Sequence, residues 1–461
     1  MTSDPSTIEH PGELQSNELR RQLVATEPVA LRTYTPTLAI LSKSSGSYHW
    51  TTDGRKLADF TSGVLVANLG HNPTRWWRHV KNYLGLNGLE DAGEFHEAAP
   101  LNAYNAATEV EIQANARLLA NLRREPGGGR MEQILWSASG SEAVQKALWA
   151  VLALDPKRDM IIATRGGFHG KKGLAGAVTG SETDKDRDPR VRFISFPRSE
   201  CEDLELRKQP IDLEPYKQEL QRLDDEFGER IGCLITEPYL GGGGSYHPQP
   251  EYLQLLEQFC RDRNAVFILD EIQANFGRTG PMYAFTRYGV EPDIVCLGKG
   301  LGNGVPVSAA VGRSEIFETL QYGEGSDTWS ANPLASAAVL ATLDEFESEN
   351  VLTRASQLSK VIEEGLVKLK TTGVIEHVRG EGTVWGIQCV KIGSHEPEEV
   401  ANACVEACYR GDSEGRAIHL LGPLAGKVLR ISPPLVMPPD EAAEYLGVMH
   451  SLLADLRLRL R

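Results

Sequence analysis

No apolar run in this 461-residue chain approaches the roughly 18 residues that a membrane-crossing helix needs. The stretch Met1 to Arg21 is polar and acidic, unlike a signal or transit peptide. Positive charge is scarce too: 48 lysines and arginines face 63 aspartates and glutamates, a formal charge of −15. That balance argues against nucleic acid or an anionic membrane as the main partner. Seven cysteines without a C-x-x-C pair predict reduced thiols in a cytoplasmic setting, not a disulfide framework or a zinc site, and no metal ligand is expected. No internal repeat is visible, and the length is enough for two or three domains with a substantial core.

Two nucleotide-binding signatures are also missing. A P-loop requires G-x-x-x-x-G-K-[ST]. The nearest candidate, Gly170-Lys171-Lys172, has Arg165 in place of the first glycine and lysine in place of Ser/Thr. Gly298-Lys-Gly300-Leu-Gly302-Asn-Gly304 lacks both the G-x-G-x-x-G spacing and the downstream acid of a dinucleotide fingerprint.

What is present centres on Asp270 and Lys299. The first closes the apolar run Ala265-Val-Phe-Ile-Leu-Asp270, and the second follows Ile294-Val-Cys-Leu-Gly298. Both runs read as short buried strands ending in a charged or glycine-rich loop. A parallel sheet gathers the C-terminal ends of its strands on one edge, where ligands bind. Such a fold brings the acid and the lysine together across 29 residues of sequence (299 − 270). Pyridoxal phosphate needs that pair, a lysine for the Schiff base and an anion that keeps the pyridine nitrogen protonated.

A phosphate cradle stands upstream. The strand Gln133–Ser137 runs into Ala138-Ser139-Gly140-Ser141 and a helical stretch to about Leu154. A glycine and a hydroxyl at a helix start offer free N–H groups, a side-chain donor and the positive end of the helix dipole. Ser141 can cap the helix as well as bind an anion. The remaining strands are read at Met160–Thr164, Arg192–Phe196, Cys233–Glu237, Ala265–Asp270, Ile294–Leu297 and Val307–Val311. Helices are read at Leu213–Glu226, Pro250–Asn264 and from about Asn332 to Glu345. That alternation predicts a mostly parallel, doubly wound α/β sheet. A hairpin with Asp53-Gly54 at its turn is expected between Ser47 and Gly63. The expected organisation is a tail or docking segment over 1–30, the start of a small domain over 31–75, a large domain over 76–331 and a C-terminal small domain over 332–461.

The ordered set Trp136-Ser-Ala-Ser-Gly-Ser-Glu-Ala143, Phe168-His-Gly170, Glu237-Pro238, Leu269-Asp-Glu-Ile-Gln273, Gly277-Arg-Thr-Gly280, Leu297-Gly-Lys-Gly300, Thr328-Trp-Ser-Ala-Asn-Pro333 and Arg430-Ile-Ser-Pro-Pro-Leu435 resembles the class III aminotransferases. The resemblance covers roughly residues 40 to 450. It implies a fold-type I enzyme dependent on pyridoxal 5'-phosphate. Lys299 would hold the cofactor and shuttle a proton, and Asp270 would pair with the ring nitrogen. Gln273 would reach the ring's phenolic oxygen, Phe168 would stack on the ring, and Gly140 and Ser141 would take the phosphate. His169 is read as a cofactor contact or a structural histidine, and Glu237 as a support for the site. Thr328 would reach the phosphate of a neighbouring subunit, which implies a homodimer with shared active sites. Arg430 would anchor a substrate carboxylate, while Tyr48, Trp50, Val64 and Leu65 are candidates for the amino-donor pocket.

Two departures stand out. Relatives that use glutamate and 2-oxoglutarate often carry E-P-x-x-G-E, whose second Glu covers the carboxylate-binding arginine; here Gly242 takes that place. They also often carry an arginine after F/Y-H-G, where this chain has Lys171. The expected reaction is transfer of an amino group from an amine or amino acid to an oxo acid by a ping-pong mechanism, with pyruvate favoured over 2-oxoglutarate. A decarboxylase, racemase or aminomutase on the same fold, and a non-catalytic cofactor-binding scaffold, are the alternatives.

Overall fold

The computed structural model describes residues 8–91, 93–185 and 187–461. It divides into two compact units, one made of the chain up to Pro73 together with Thr353–Arg461, the other of Thr74–Leu352.

The smaller unit begins with the helix Leu14–Thr26 and three strands, β1 (Leu41–Ser45), β2 (Tyr48–Thr51) and β3 (Lys56–Asp59), paired as an antiparallel meander. The predicted turn lies between β2 and β3, where Gly54 takes the positive φ of 84° that favours glycine. The Asp53 carboxylate accepts the N–H groups of Gln15 and Ser16, each at 2.9 Å, and so caps the start of the first helix. A buried Glu13–Arg20 pair at 2.7 Å, with Tyr409 at 3.0 Å from Glu13, fixes that helix to its unit. The expected tail is therefore a docked segment wherever it is described; residues 1–7 lie outside the described residues.

The larger unit carries β4 (Gln133–Ser137), β5 (Met160–Thr164), β6 (Val191–Ile194), β7 (Ile231–Thr236), β8 (Val266–Asp270), β9 (Ile294–Leu297) and β10 (Ser308–Gly312). They form one seven-stranded sheet in the order β4-β10-β9-β8-β7-β5-β6. Strands buried on both faces read as continuous apolar runs, which is why they were legible. The expected Val307–Val311 strand is present as β10, but it runs antiparallel to both neighbours. The other six strands point the same way, so the loops after β4, β5, β7, β8 and β9 leave from one edge. A core of Val144, Leu148, Ile161, Ile235, Ile268 and Cys296 lies under that edge.

The boundary expected at 331/332 falls instead after Leu352. The cause is the helix Pro333–Ser348, which packs on Thr74–Leu84 and Glu109–Arg124 of the larger unit. Trp76 donates to Thr342 Oγ1 at 3.0 Å, and Arg117 and Tyr83 both bind Asp344. The rest of the smaller unit holds β11 (Ile375–Glu381), β12 (Val384–Cys389), β13 (Ala417–His419) and β14 (Val428–Ile431). β11, β12 and β14 make an antiparallel sheet, while β13 adds in parallel to β3. Among the described residues no helix is long and apolar enough to cross a membrane.

Candidate active site

Every residue expected to touch the cofactor from within one chain lies at the C-terminal edge of the larger unit's sheet. Asp270 ends β8 and pairs in register with Cys296 of β9. Lys299 follows three residues after Cys296, so the two strands deliver acid and lysine side by side. Lys299 has φ 48°, a left-handed conformation that costs a non-glycine residue about 1–2 kcal/mol. Such strain at a lysine next to a ligand edge is a mark of a functional position.

Asp270 is 4% exposed, and both of its oxygens are engaged. Oδ1 accepts the N–H of Ile272 at 3.1 Å, and Oδ2 lies 2.7 Å from Nδ1 of His169. His169 has no solvent contact at its side chain, and its Nε2 has no hydrogen-bond partner among the described residues. Burial by itself would lower the imidazole pKa, but the hydrogen bond and charge of Asp270 outweigh it and leave the value raised. Within the chain, His169 is hydrogen-bonded to the acid and braces it. Thr179, which the sequence did not single out, holds this loop by accepting the N–H groups of His169 (2.8 Å) and Gly170 (3.1 Å).

Glu237, just past β7, joins two loops. One oxygen accepts the N–H of Phe168 at 2.9 Å, and the other accepts that of Gly241 at 3.3 Å. Burial pushes its carboxyl up to about 7, with His169 opposing and Asp270 reinforcing that shift. The Phe168 ring stays 41% exposed. Gln273 lies against Gly241, whose added Cβ would fall 2.4 Å from Gln273 Oε1. A Cβ on Gly242 would meet Phe168 Cβ at 3.3 Å.

The cradle differs from expectation in one respect. The cap of the helix Gly140–Leu154 is Ser139, in a reciprocal box with Glu142, whose carboxylate accepts the N–H groups of Ala138 and Ser139 at 3.0 Å each. Ser141 is thereby released from capping. The N–H groups of Gly140 and Ser141 begin the first turn, where no intrahelical acceptor exists. A Cβ on Gly170 would stand 2.7 Å from Ser141 Oγ, and one on Gly140 would stand 2.7 Å from Ile272 Cδ1. Ile272 also lies against Gly298, and so wedges between the cradle and the lysine loop. These residues fit pyridoxal phosphate: leftover N–H groups for the phosphate, an open aromatic face for the ring, and a braced anion for the ring nitrogen.

Thr328 is not part of this edge within the chain. It is exposed, in a loop tied to the helix of the cradle by Lys146, whose ammonium binds Asp327 (2.8 Å), Ser330 (3.0 Å) and the carbonyl of Trp136 (2.6 Å). Beside it a groove of about 520 Å³ is lined by Asn102, Tyr104, Trp136 and Tyr322 among others. Trp329, Leu101 and Tyr104 are more than half exposed and Tyr322 fully so.

The candidate substrate residues belong to the smaller unit. Arg430 is buried on β14 opposite Gly386, and Trp50 is on β2. Ser62, Gly63, Val64 and Leu65 have φ of 50°, 59°, 69° and 60°, a left-handed turn that is strained for a β-branched valine. Val64 is 40% exposed, whereas Leu65 is buried in its unit. The Tyr48 hydroxyl donates to Glu441 and its ring carries the Lys56 ammonium at 3.5 Å, so it is already engaged there.

A model of the family described as aminotransferase class-III matches residues 29–453. The 4-aminobutyrate aminotransferase of Mycobacterium leprae is 28% identical over 95% of this chain and 96% of its own length. The 2-aminoadipate transaminase of Pseudomonas putida is 30% identical over 90% and 96%. Among solved structures, the ornithine aminotransferase of Toxoplasma gondii superposes with a TM-score of 0.77 at 22% identity, covering 96% of this chain and 95% of the other. The acetylornithine aminotransferase of Elizabethkingia anophelis gives 0.76 at 23% identity, covering 95% and 99%.

Proposed function

The chain belongs to the class III aminotransferases, enzymes dependent on pyridoxal phosphate, and from that premise we propose that it passes an amino group from an amine or amino acid preferentially to a monocarboxylic oxo acid such as pyruvate. When bound, the cofactor supplies an electrophilic carbon for amines and an electron sink. Lys299 would be the residue that holds it, and its free amine would take and return the proton at the substrate's α-carbon. Asp270, braced by His169, keeps an anion at the ring nitrogen. Gly140 and Ser141 would bind the phosphate, Phe168 would cover the ring, and Gln273 would take the phenolic oxygen. Arg430 receives the substrate carboxylate through a bidentate pair.

The acceptor preference rests on one observation, the pair of substitutions at Gly242 and Lys171. Position 242 carries no carboxylate to cover an arginine and backs directly onto Phe168. Lys171 is exposed and offers a point charge instead of a planar fork for a second carboxylate. A missing charged hydrogen bond is worth on the order of 1.5–3 kcal/mol, which predicts a preference of about tenfold or more. Measuring kcat/KM for pyruvate and 2-oxoglutarate with one amino donor tests this; a clear preference for 2-oxoglutarate overturns it.

The assembly is read as a homodimer in which Thr328 reaches the partner's phosphate. The support is the exposure of Thr328 beside an aromatic surface of Tyr104, Tyr322 and Trp329 that water alone does not favour. A cytoplasmic setting is supported by seven buried cysteines, all free thiols.

A further inference from the structure

A cluster of titratable side chains that the aminotransferase chemistry does not use lies wholly within the smaller unit. His49, Asp59 and His71 each offer a ligand atom, and these atoms all fall within 4.8 Å of one another. Asp59 Oδ2 is 2.7 Å from His71 Nε2 and 3.5 Å from His49 Nε2.

His49 and Asp59 have side-chain supports outside the cluster, and His71, whose Nε2 is hydrogen-bonded to Asp59 Oδ2, has a fixed backbone. His49 is on β2, and its Nδ1 is bonded to Ser44 Oγ on β1 at 2.7 Å, which turns Nε2 toward Asp59. Asp59 ends β3, and its Oδ1 accepts the Thr61 N–H (2.8 Å) and hydroxyl (2.6 Å), leaving Oδ2 to face the imidazoles. The backbone of His71 is fixed by two bonds to Gly46, at 2.9 and 2.8 Å. Such supporting bonds are how metal sites set the tautomer and aim of their ligands.

A fourth imidazole stands beside the three. His419 of β13 is opposite Asp59 in the strand register and packs edge-on against His49, with ring centroids 5.3 Å apart. Its Nδ1 is buried and has no hydrogen-bond partner among the described residues.

Asp59 is 0% exposed and His49 4% exposed, so a buried carboxylate sits among aromatic nitrogens with little water to solvate it. A divalent cation at this point meets the charge of the carboxylate and the lone pairs of the imidazoles together. Zinc bonds to imidazole nitrogen and carboxylate oxygen run to about 2.0–2.2 Å, which separates tetrahedral ligand atoms by about 3.3 Å. The observed 2.7 and 3.5 Å bracket that separation.

We propose that His49 Nε2, Asp59 Oδ2 and His71 Nε2 bind a divalent transition-metal ion, for which Zn(II) has the matching donor preference. The ion ties β2, β3 and the segment carrying His71 to one another and stiffens the smaller unit. It takes no part in amino transfer.

The test uses the full-length holoenzyme, stripped with a chelator and returned to Zn(II) or to Co(II) as a visible probe. Wild type is expected to retain one ion per chain, to show Co(II) bands near imidazole-ligated intensities, and to melt at a higher temperature with Zn(II). His49→Gln removes a ligand and is expected to weaken Zn(II) binding by roughly 100-fold, and Ser44→Ala, which removes only the orienting bond, by roughly tenfold. Ser44→Ala keeps all three ligands in place, so its result stands if His49→Gln folds poorly. Binding that is absent in wild type at micromolar free Zn(II), or unchanged in both variants, overturns the proposal and leaves a proton-bridged His–Asp–His cluster.

Discussion

His169 Nδ1 donates to Asp270 Oδ2 across 2.7 Å, inside a region from which both side chains exclude water. The bond joins the loop after β5 to the end of β8, so the acid that would face the cofactor cannot rotate away. On the proposed reading His169 acts through Asp270, as a positioning residue. Replacing it with Phe leaves the carboxylate with one fixed oxygen only. A charged hydrogen bond of about 1.5–3 kcal/mol is lost. Cofactor affinity should fall by about tenfold or more, and His169→Gln should recover part of it. Equilibrium dialysis of the cofactor against both variants checks this; unchanged retention in His169→Phe removes the positioning role.

Glu237 makes the folded state pH-dependent. Its folded value of about 7 lies above the ordinary 4.5, so the native state holds a proton that the unfolded chain releases earlier. Stability from this group is full below pH 4.5 and is lost as pH rises through about 7. At about 1.36 kcal/mol per pH unit, the whole interval amounts to about 3 kcal/mol. Glu237→Gln lacks the titration. The unfolding free energy of the variant relative to wild type should therefore improve by about that amount between pH 4 and pH 8, whatever its offset from disturbing the Phe168 and Gly241 N–H bonds. A flat difference across the range contradicts the raised value.

Thr328 tests the assembly. If its hydroxyl serves the partner's phosphate, Thr328→Ala should weaken cofactor retention by about tenfold, and dilution of wild type to monomers should release the cofactor. Analytical ultracentrifugation with absorbance detection of the cofactor reads both. A monomer that keeps its cofactor and full activity rules the shared site out.

Much of the catalytic edge was legible because its strands are short apolar runs closed by the residues that matter, as at Leu269-Asp270 and Gly298-Lys299. The strand bounds moved by no more than three residues, since buried runs leave few alternatives. The cap was not legible: Ser139 and Ser141 are both hydroxyls at a helix start, and only the Glu142 return bond separates them. The antiparallel sense of β10 leaves no mark in a run such as Ser308-Ala-Ala-Val-Gly312, because either sense buries both faces. The helix Pro333–Ser348 was assigned to the wrong unit because its partners Trp76 and Arg117 lie more than 220 residues upstream. Long separation in sequence also hid the pairing of Lys146 with Asp327, 181 residues apart, and the meeting of His49 and His419.

The central claim is that Lys299, at the end of β9, is the residue that holds the cofactor. Reducing the purified enzyme with borohydride, digesting it and mapping the modified peptide by mass spectrometry tests that directly. The adduct should sit on Lys299, and Lys299→Ala should yield none while losing turnover by about a thousandfold or more. An adduct on Lys171 or Lys172, or a Lys299→Ala enzyme that turns over normally, would contradict the account.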